Sequence, residues 1–221
     1  MYDKPFSQSC ENNKEPILQA LKVVFTEPAS ILEIGSGSGQ HAVYFCHRLP
    51  HLQWQPSERQ ENIEGIKAWR NWALTHWSLK NLAPPLVLDV NDEKWPLDKT
   101  NNQVDGVFTA NTCHIMDWDS VQAFVRKAAA CLKDDGQLCI YGPFNYPDSD
   151  EHIRYTSASN AHFDRWLKQR DSRSGIRNLP AMAKLAQRSG LGRLQDLSMP
   201  ANNRLLIWQK ISTSNLGLEV E

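Results

Sequence analysis

The chain has 221 residues, 41% of them hydrophobic and 22% charged, with a formal net charge of −1 at pH 7, which fits a single α/β domain, residues 1–221, with its own core. It has no block of basic residues and no apolar run of membrane-spanning length, which argues against a nucleic-acid partner and a membrane partner. Its five cysteines form no C-x-x-C pair, so we expect no metal site, no disulfide framework and a cytoplasmic location.

The first predicted element is a helix over residues 11–26. Asn12 or Asn13 is placed to cap it, Pro16 falls in the first turn where its missing N–H is harmless, and Pro28 stops it. Its apolar stripe consists of Ile17, Leu21, Val24 and Phe25. Asn12, Asn13 and Lys14 have two possible roles, capping the helix or folding over a bound cofactor.

A buried strand over residues 30–34 runs into three glycines at alternate positions, and an amphipathic helix follows. The glycines let the backbone turn sharply and approach a ligand closely, and the helix directs free N–H groups at the crevice. The spacing Gly35-x-Gly37-x-Gly39 is one residue shorter than the dinucleotide pattern G-x-G-x-x-G. Glu33, two residues before the first glycine, would repel a pyrophosphate but suits a positively charged ligand. A tight turn without a ligand is the alternative.

This Glu-x-Gly-x-Gly-x-Gly pattern resembles the first motif of class I methyltransferases, which bind S-adenosylmethionine (SAM). SAM carries an ammonium and a sulfonium, so it suits an acid beside the turn. The resemblance implies a SAM cofactor and a Rossmann-like α/β fold.

The rest of the chain continues to alternate strands and helices, which implies a parallel sheet with helices on both faces. The further strands are predicted at residues 53–56, 86–88, 105–110 and 137–141. A hairpin of residues 193–199 and 204–210 closes the chain, after a helix over 179–189. This order is similar to the class I methyltransferase sheet, seven strands in the order 3-2-1-4-5-7-6 with one antiparallel strand.

Residues 143–178 are polar and lack a clean period, so we predict loops and a short helix around residues 161–168. Their position after the fifth strand indicates a lid-like insertion over the acceptor. The tail, residues 211–221, is expected to be frayed.

Polar residues end the predicted strands, at the edge where open α/β sheets bind ligands. Glu58 is placed to accept two hydrogen bonds from a ribose diol. Asp89 is placed to accept from the amine of adenine, with Val90 against the ring, and Asn111 lies near the amino-acid portion of the cofactor. Each of these polar residues alone is an ordinary turn residue, but four strand ends in register, with Glu33 on the first strand, indicate a site behind the glycine turn. The predicted cofactor-binding residues are Glu33, Gly35, Ser36, Gly37, Gly39, His41, Glu58, Asp89, Val90, Asn111 and Asn13.

Finer features resemble the methyltransferase-like 26 family, a domain-of-unknown-function group without an established methyl acceptor. They include the segments 4–7, 10–18, 54–57, 141–145, 159–160, 163–164, 175–177 and 199–203. The resemblance covers roughly residues 4–210. One departure is Glu58, where relatives are expected to carry Asp, so a longer side chain would have to reach the ribose here.

The candidate catalytic residues are His114, Tyr141 and Asn145. His114 follows Asn111 by three residues and is placed to act as a general base, because an unperturbed imidazole titrates near ~6.5. Its alternative role is packing under the next helix. Tyr141 and Asn145 follow the fifth strand and could shape an acceptor pocket, whereas Cys113 is expected to be structural.

The leading hypothesis is a SAM-dependent methyltransferase acting by in-line transfer on a small-molecule acceptor, since the chain shows no appended domain for a macromolecule. A SAM-binding sensor or partner module without transfer activity is the second hypothesis. An NAD-dependent oxidoreductase is the third, and the glycine spacing and closing hairpin disfavour it. The identity of the acceptor and the oligomeric state stay open.

Overall fold

The computed structural model describes residues 4–97 and 103–212. The chain divides into two compact units, residues 1–109 and 110–221. The frayed tail predicted for residues 211–221 falls almost wholly outside the described residues. The prediction of a single domain stays a prediction.

The described residues form six α-helices, alternating with strands along most of the chain. The helices are α1 Gln8–Val24, α2 Gln40–Arg48, α3 Ile63–Trp77, α4 Trp118–Cys131, α5 Ala158–Arg170 and α6 Leu179–Arg188. The strands are β1 Ala29–Ile34, β2 Leu52–Glu58, β3 Leu86–Val87, β4 Val104–Ala110, β5 Leu132–Gly142, β6 Phe144–Pro147, β7 Ile153–Arg154, β8 Arg177–Asn178, β9 Leu191–Met199 and β10 Asn203–Lys210.

The main sheet has seven strands in the order β3-β2-β1-β4-β5-β10-β9, and a second sheet has the order β7-β6-β8. β1 runs parallel to β2 and β4, and β2 runs parallel to β3. β10 runs antiparallel to both β5 and β9. Numbered within the main sheet alone, the order is the predicted 3-2-1-4-5-7-6, which confirms the fold class.

The core of the first unit is built on β1, whose residues from Ile31 to Ile34 are buried. Three aromatic rings fill one region of this core, with centroid distances of 5.5 Å for Phe45–Trp54, 5.7 Å for Phe45–Phe108 and 5.8 Å for Trp54–Phe108. Their tilted and edge-on geometry is the favourable one for aromatic pairs. β1 is thereby held firmly, and with it the glycine turn at its carboxyl end.

The N-terminal helix begins earlier than predicted. Its N-cap is Ser7, whose Oγ accepts from the Cys10 N–H at 3.3 Å, rather than Asn12 or Asn13. Pro16 consequently lies inside α1 and not in its first turn. The prediction failed because Ser7, Asn12 and Asn13 are all of residue types that favour the N-cap position. Tertiary contacts decide which of them caps the helix.

Residues 143–178 are more regular than predicted, with α5 extending on both sides of residues 161–168 and with three short strands. The buried Asp164 organises this segment. Its carboxylate accepts from the Ile176 N–H at 2.7 Å and the Tyr155 hydroxyl at 2.7 Å, and it pairs with Lys168 at 2.6 Å. These long-range contacts explain order in a segment whose sequence shows no clean period. Whether the segment acts as a lid stays a prediction.

The closing hairpin is confirmed, and β5 begins at Leu132, five residues before the predicted start at residue 137. Asp135 nevertheless has a φ of +62°, so a local turn conformation survives within the strand. Within the described part of the chain, no helix is long and apolar enough to cross a membrane.

Gly106 provides a stability test of the β1–β4 packing. A Cβ at this position would lie 2.5 Å from Cζ of Phe25 and 2.7 Å from Cδ1 of Ile31. Gly106→Ala should therefore lower the free energy of unfolding by about 1–3 kcal/mol, the usual cost of overpacking. Urea denaturation would measure it. Gly192→Ala is the matched control, since its Cβ would meet the flexible Ile211 side chain at 3.3 Å; equal losses in both variants would contradict the packing argument.

Candidate functional site

The glycine turn adopts a backbone conformation that other residues rarely reach. The φ angles are +70° at Gly35, +55° at Gly37 and +87° at Gly39. The turn is fastened to β2, because Ser36 N–H donates to the Ser57 carbonyl at 2.9 Å. An L-residue in the left-handed region costs roughly 1–2 kcal/mol, so the turn requires glycine for its own geometry.

Two of these glycines face different surroundings. A Cβ on Gly39 would lie 2.9 Å from the Ile66 Cα, so this glycine allows α3 to pack closely against the turn. A Cβ on Gly37 would meet nothing within 4 Å. The space over Gly37 is open, which is the surrounding that a bound ligand needs.

The Glu33 carboxyl is buried, with 2% of the residue exposed. Its Oε2 accepts from Ser36 Oγ at 2.9 Å and from Trp54 Nε1 at 3.0 Å. Ser57 completes the network, since its hydroxyl donates to the Glu33 carbonyl at 2.6 Å and its N–H to Ser36 Oγ at 3.2 Å. Glu33 therefore ties the turn to β2.

Burial raises the pKa of Glu33 to about 7, although the hydrogen bonds from Trp54 and Ser36 act in the opposite direction. The negative charge of Glu58 raises the pKa further. A carboxyl poised near neutrality would ionise when a cation came close to it.

Glu58 lies at the end of β2 and contacts the turn directly. Its Oε2 accepts from the Gly37 N–H at 2.9 Å, and its Oε1 accepts from the Arg59 N–H at 2.9 Å. The carboxylate is thus held beside the open space over Gly37, and a ribose contact stays a prediction. Both oxygens retain further acceptor capacity because a carboxylate offers about four lone-pair sites.

Asp89 and Val90 follow β3 in a tight turn. Asp89 Oδ1 accepts from the Asn91 N–H at 2.8 Å, and the Asp89 N–H donates to Asp92 Oδ2 at 3.2 Å. This is the ordinary turn role of Asp. An adenine contact by Asp89 and Val90 stays a prediction.

Asn13 and His41 contact each other inside the first unit. The amide oxygen of Asn13 lies 2.7 Å from His41 Nε2, so this nitrogen carries the hydrogen. Nδ1 then faces the Cys10 thiol at 3.8 Å. Burial lowers the pKa of His41 to about 4, which keeps the ring neutral. The geometry gives both residues a role in joining α1 to α2, and a direct cofactor contact stays a prediction.

In the second unit, Asn111 follows β4 with a φ of +58°, a left-handed conformation that Asn tolerates better than most residues. Its N–H donates to the carbonyl of Tyr141 at 2.9 Å. The Tyr141 side chain is buried. These contacts bring the residue after β4 to the end of β5.

His114 lies beside the same strand end. A Cβ on Gly142 would be 3.6 Å from His114 Nδ1 and 3.9 Å from Asn111 Oδ1. The His114 ring also packs edge-on against Phe163, with centroids 5.1 Å apart, and the residue is 6% exposed. Asn111, His114 and the end of β5 therefore converge.

The expectation of an unperturbed imidazole at His114 is wrong. Burial lowers its pKa to about 4, and the positive charge of Arg177 acts in the same direction. Arg177 Nε donates to the Cys113 carbonyl at 2.9 Å, and burial raises the pKa of the Cys113 thiol to about 12. Cys113 is buried, which agrees with the structural role expected of it.

Asn145 on β6 carries a buried polar atom without a partner. The residue is 7% exposed, and its Oδ1 has no hydrogen-bond partner among the described residues. Its Nδ2 donates to Asn178 Oδ1 at 3.4 Å. Such an orphan acceptor is costly unless a donor satisfies it, which supports the assignment of Asn145 to a binding surface.

Trp54, Ser57, Arg177 and Asn178 are site-forming residues that the sequence did not single out. Trp54 and Ser57 flank Gln55 and Pro56 in a segment that only family resemblance marked. Arg177 was likewise marked only by family resemblance, and Asn178 carried no signal of its own.

Asp148, Asp150 and His152 form a group whose ligand atoms lie within 4.8 Å of one another, the geometry that a metal ion could use. Asp150 and His152 are exposed, and Arg154 forms an ion pair with Asp148. An exposed acidic group of this kind is insufficient evidence for a metal centre.

A protein-family model described as "Protein of unknown function (DUF938)" matches residues 4–210. The chain belongs to this family. The match has the same bounds as the family resemblance noted in the sequence, while the methyltransferase-like 26 assignment stays a prediction.

Solved methyltransferase structures share the fold of this DUF938 chain. An O-methyltransferase family protein from Burkholderia thailandensis aligns with a TM-score of 0.69 at 19% identity, covering 90% of this chain and 57% of that chain. Human N-acetylserotonin methyltransferase in complex with SAM gives 0.70 at 15% identity, with 93% and 53% covered. An O-methyltransferase family 2 protein from Planctomyces limnophilus DSM 3776, in complex with apigenin, gives 0.71 at 17% identity, with 90% and 57% covered.

These likenesses show that the chain has the class I methyltransferase fold. The chain spans a little over half the length of each of these three solved chains.

The raised pKa of Glu33 predicts a pH-dependent stability. Between the ordinary value of 4.5 and about 7, the carboxyl is ionised in the unfolded chain but protonated in the folded one, so stability falls as pH rises. Glu33→Gln keeps a hydrogen-bond acceptor for Trp54 and Ser36 but cannot ionise. It should therefore remove roughly 2–3 kcal/mol of the loss of stability that accompanies rising pH. Urea denaturation across that range would measure it, with Glu61→Gln as the exposed control. Parallel pH curves for Glu33→Gln and the parent protein would contradict the prediction.

Proposed function

We propose that this DUF938 protein is a SAM-dependent methyltransferase that transfers a methyl group in line to a small-molecule acceptor. The observation that carries the proposal is the glycine turn, with open space over Gly37 and the Glu58 carboxylate beside it. The solved structures with the same fold support the choice of cofactor, since one of them is titled as a complex with SAM.

The residues of the first unit suit SAM as a ligand. SAM supplies a methyl carbon already activated by a positively charged sulfonium. Glu58 would accept hydrogen bonds from the ribose hydroxyls, and the backbone at Gly37 would approach the ligand without a clashing Cβ. The Glu58 carboxylate, joined by Glu33 once a nearby cation ionises it, provides the negative potential that a cationic ligand requires and a pyrophosphate would not tolerate. Asp89 and Val90 are assigned to the adenine.

The second unit carries the groups assigned to the acceptor. His114 is buried and neutral, so it can receive a proton in principle, but a pKa of about 4 makes it a weak base at neutral pH. The side-chain oxygen of Asn145 has no hydrogen-bond donor among the described residues. This oxygen suits a methyl acceptor that bears a hydroxyl or an N–H group. Tyr141 is assigned to the pocket wall, and Asn111 to the amino-acid portion of the cofactor. Orientation of the acceptor would then be the main catalytic contribution.

Two alternatives differ in measurable ways. A non-catalytic SAM sensor would bind SAM without turnover. An NAD-dependent oxidoreductase would bind NADH, which the glycine spacing and the acids beside the turn disfavour. We also propose that the acceptor is neither a nucleic acid nor a lipid surface, because the formal net charge is −1 and no basic block is present.

Calorimetric titration with the demethylated product S-adenosylhomocysteine would test the cofactor site. The parent protein should bind this ligand and not NADH. Glu58→Ala should weaken binding by about 1.5–3 kcal/mol, the range for hydrogen bonds to a charged group. Glu61→Ala, which removes a nearby exposed carboxylate paired with Arg59, should bind as the parent does.

A 2′,3′-dideoxy analogue separates two roles of Glu58. If Glu58 binds the ribose, Glu58→Ala should barely change affinity for the analogue. If both ligands lose affinity equally, Glu58 acts only by holding the Gly37 N–H. Binding of NADH in place of S-adenosylhomocysteine would overturn the proposed function.

His114→Ala tests the base assignment. Turnover of labelled SAM with a metabolite extract would first separate a methyltransferase from a sensor. If His114 is the base, the variant should lose about 10²–10⁴ in kcat and keep its SAM affinity. Because the pKa of His114 is about 4, the acid limb of the parent rate should lie near pH 4 and not near 6.5. Unchanged rate and pH profile would assign His114 to packing against Phe163.

A further inference from the structure

The N-terminal strap, residues 4–7, lies against α3 and the start of α2. The Pro5 carbonyl accepts from Trp69 Nε1 at 2.7 Å, and the Ser7 N–H donates to Gln40 Oε1. Gly65 on α3 makes room for the strap, since a Cβ there would lie 2.7 Å from Cγ of Pro5. The strap is therefore fitted to a specific surface of the first unit.

Lys4, the first residue of the strap, places its ammonium against two tryptophan rings. Its Nζ lies 3.7 Å from the centroid of Trp72 and 4.3 Å from that of Trp69. The two rings are 5.7 Å apart and stand at 77° to each other, so they form two perpendicular walls around the ammonium. Both distances are well inside the ~6 Å limit for a cation–π interaction.

The N-terminal strap and the glycine turn both lie against Gln40 and Gly65. Gln40 Oε1 accepts from the Ser7 N–H of the strap and lies 3.1 Å from Ser38 Oγ of the turn. The position of a Cβ on Gly65 lies near Pro5 and is also 3.7 Å from the Ser38 carbonyl. A strap that lifted from α3 would therefore release groups that border the turn.

We propose that Trp69 and Trp72 form a cation-binding site whose ligand is the Lys4 ammonium, and that this contact latches the strap beside the glycine turn. The latch depends only on the contacts of Lys4 with Trp69 and Trp72. Its consequence for the cofactor rests on the proposed function: S-adenosylhomocysteine should leave faster when the latch is broken.

Cys10 reports on the strap without any cofactor. Of the five cysteines, all within the described residues, Cys10 is half-buried and the other four are buried. The Cys10 backbone N–H is held by Ser7 Oγ at 3.3 Å, and its thiol is 3.8 Å from His41 Nδ1. Opening of the strap would expose this thiol first.

The first experiment measures the rate at which 5,5′-dithiobis(2-nitrobenzoate) labels Cys10 in the native protein. Lys4→Met keeps the length of the side chain and removes its charge. It should speed labelling by about 3- to 30-fold, the range that corresponds to a cation–π contact. Lys4→Arg should label as the parent does, because a guanidinium also binds over aromatic faces.

Two further variants identify the cause. Lys22→Met removes the exposed lysine in the last turn of α1, roughly 20 Å along the helix from its start, and should leave labelling unchanged. Trp72→Phe should accelerate labelling less than Trp72→Leu, because phenylalanine retains a weaker cation–π site. Equal labelling rates in Lys4→Met and the parent would overturn the latch.

The second experiment measures the dissociation rate of S-adenosylhomocysteine by stopped flow. Faster dissociation in Lys4→Met, with recovery in Lys4→Arg, is the expected result. Faster labelling with an unchanged dissociation rate would overturn the gating of the cofactor. A parent protein that does not bind S-adenosylhomocysteine would refute the proposed function instead, and Cys10 labelling would still decide the latch.

Discussion

The buried carboxyl of Glu33 is the constraint on which the candidate site depends. Removing a carboxylate from water is expensive, and here the cost is limited by hydrogen bonds from Trp54 and Ser36 and by a pKa raised to about 7. The same bonds hold the glycine turn against β2. The group that shapes the turn is therefore also the group whose charge a cationic ligand would change, so structure and binding are coupled through one side chain.

The two units of the chain use polar groups differently. In the first unit, Glu58 brings negative charge and Glu33 brings an ionisable buried carboxyl to a turn with open space above it. In the second unit, Arg177 anchors the loop of Cys113 through backbone carbonyls, and Asn145 keeps an unsatisfied oxygen. Under the proposed function, the first arrangement suits a cationic cofactor, and the second suits a neutral methyl acceptor whose hydroxyl or N–H group donates a hydrogen bond.

The sequence predicted the main sheet because each strand and helix had a local signal of periodicity, glycine or proline. It also placed Glu33 and Glu58 beside the turn correctly. It failed at the helix starts, where several polar residues compete for the cap: Ser7 was missed as the N-cap of α1, and Ser157 as the N-cap of α5. The low pKa of His114 depends on burial against Phe163 and on the charge of Arg177, which lie far along the chain. No local pattern encodes either neighbour.

The two edge strands of the main sheet, β3 and β9, affect how readily a second chain could add to the sheet. β3 is only two residues long, so it offers few free backbone groups to a second chain. β9 is longer, but Arg193 in it has a φ of +48°, and its pairing with β10 shifts register between Ile207 and Gln209. Short edge strands and irregular, bulged edges are among the means by which sheets avoid edge-to-edge pairing. Aggregation through continued β-pairing is therefore disfavoured by the backbone itself, independently of how soluble the side chains are.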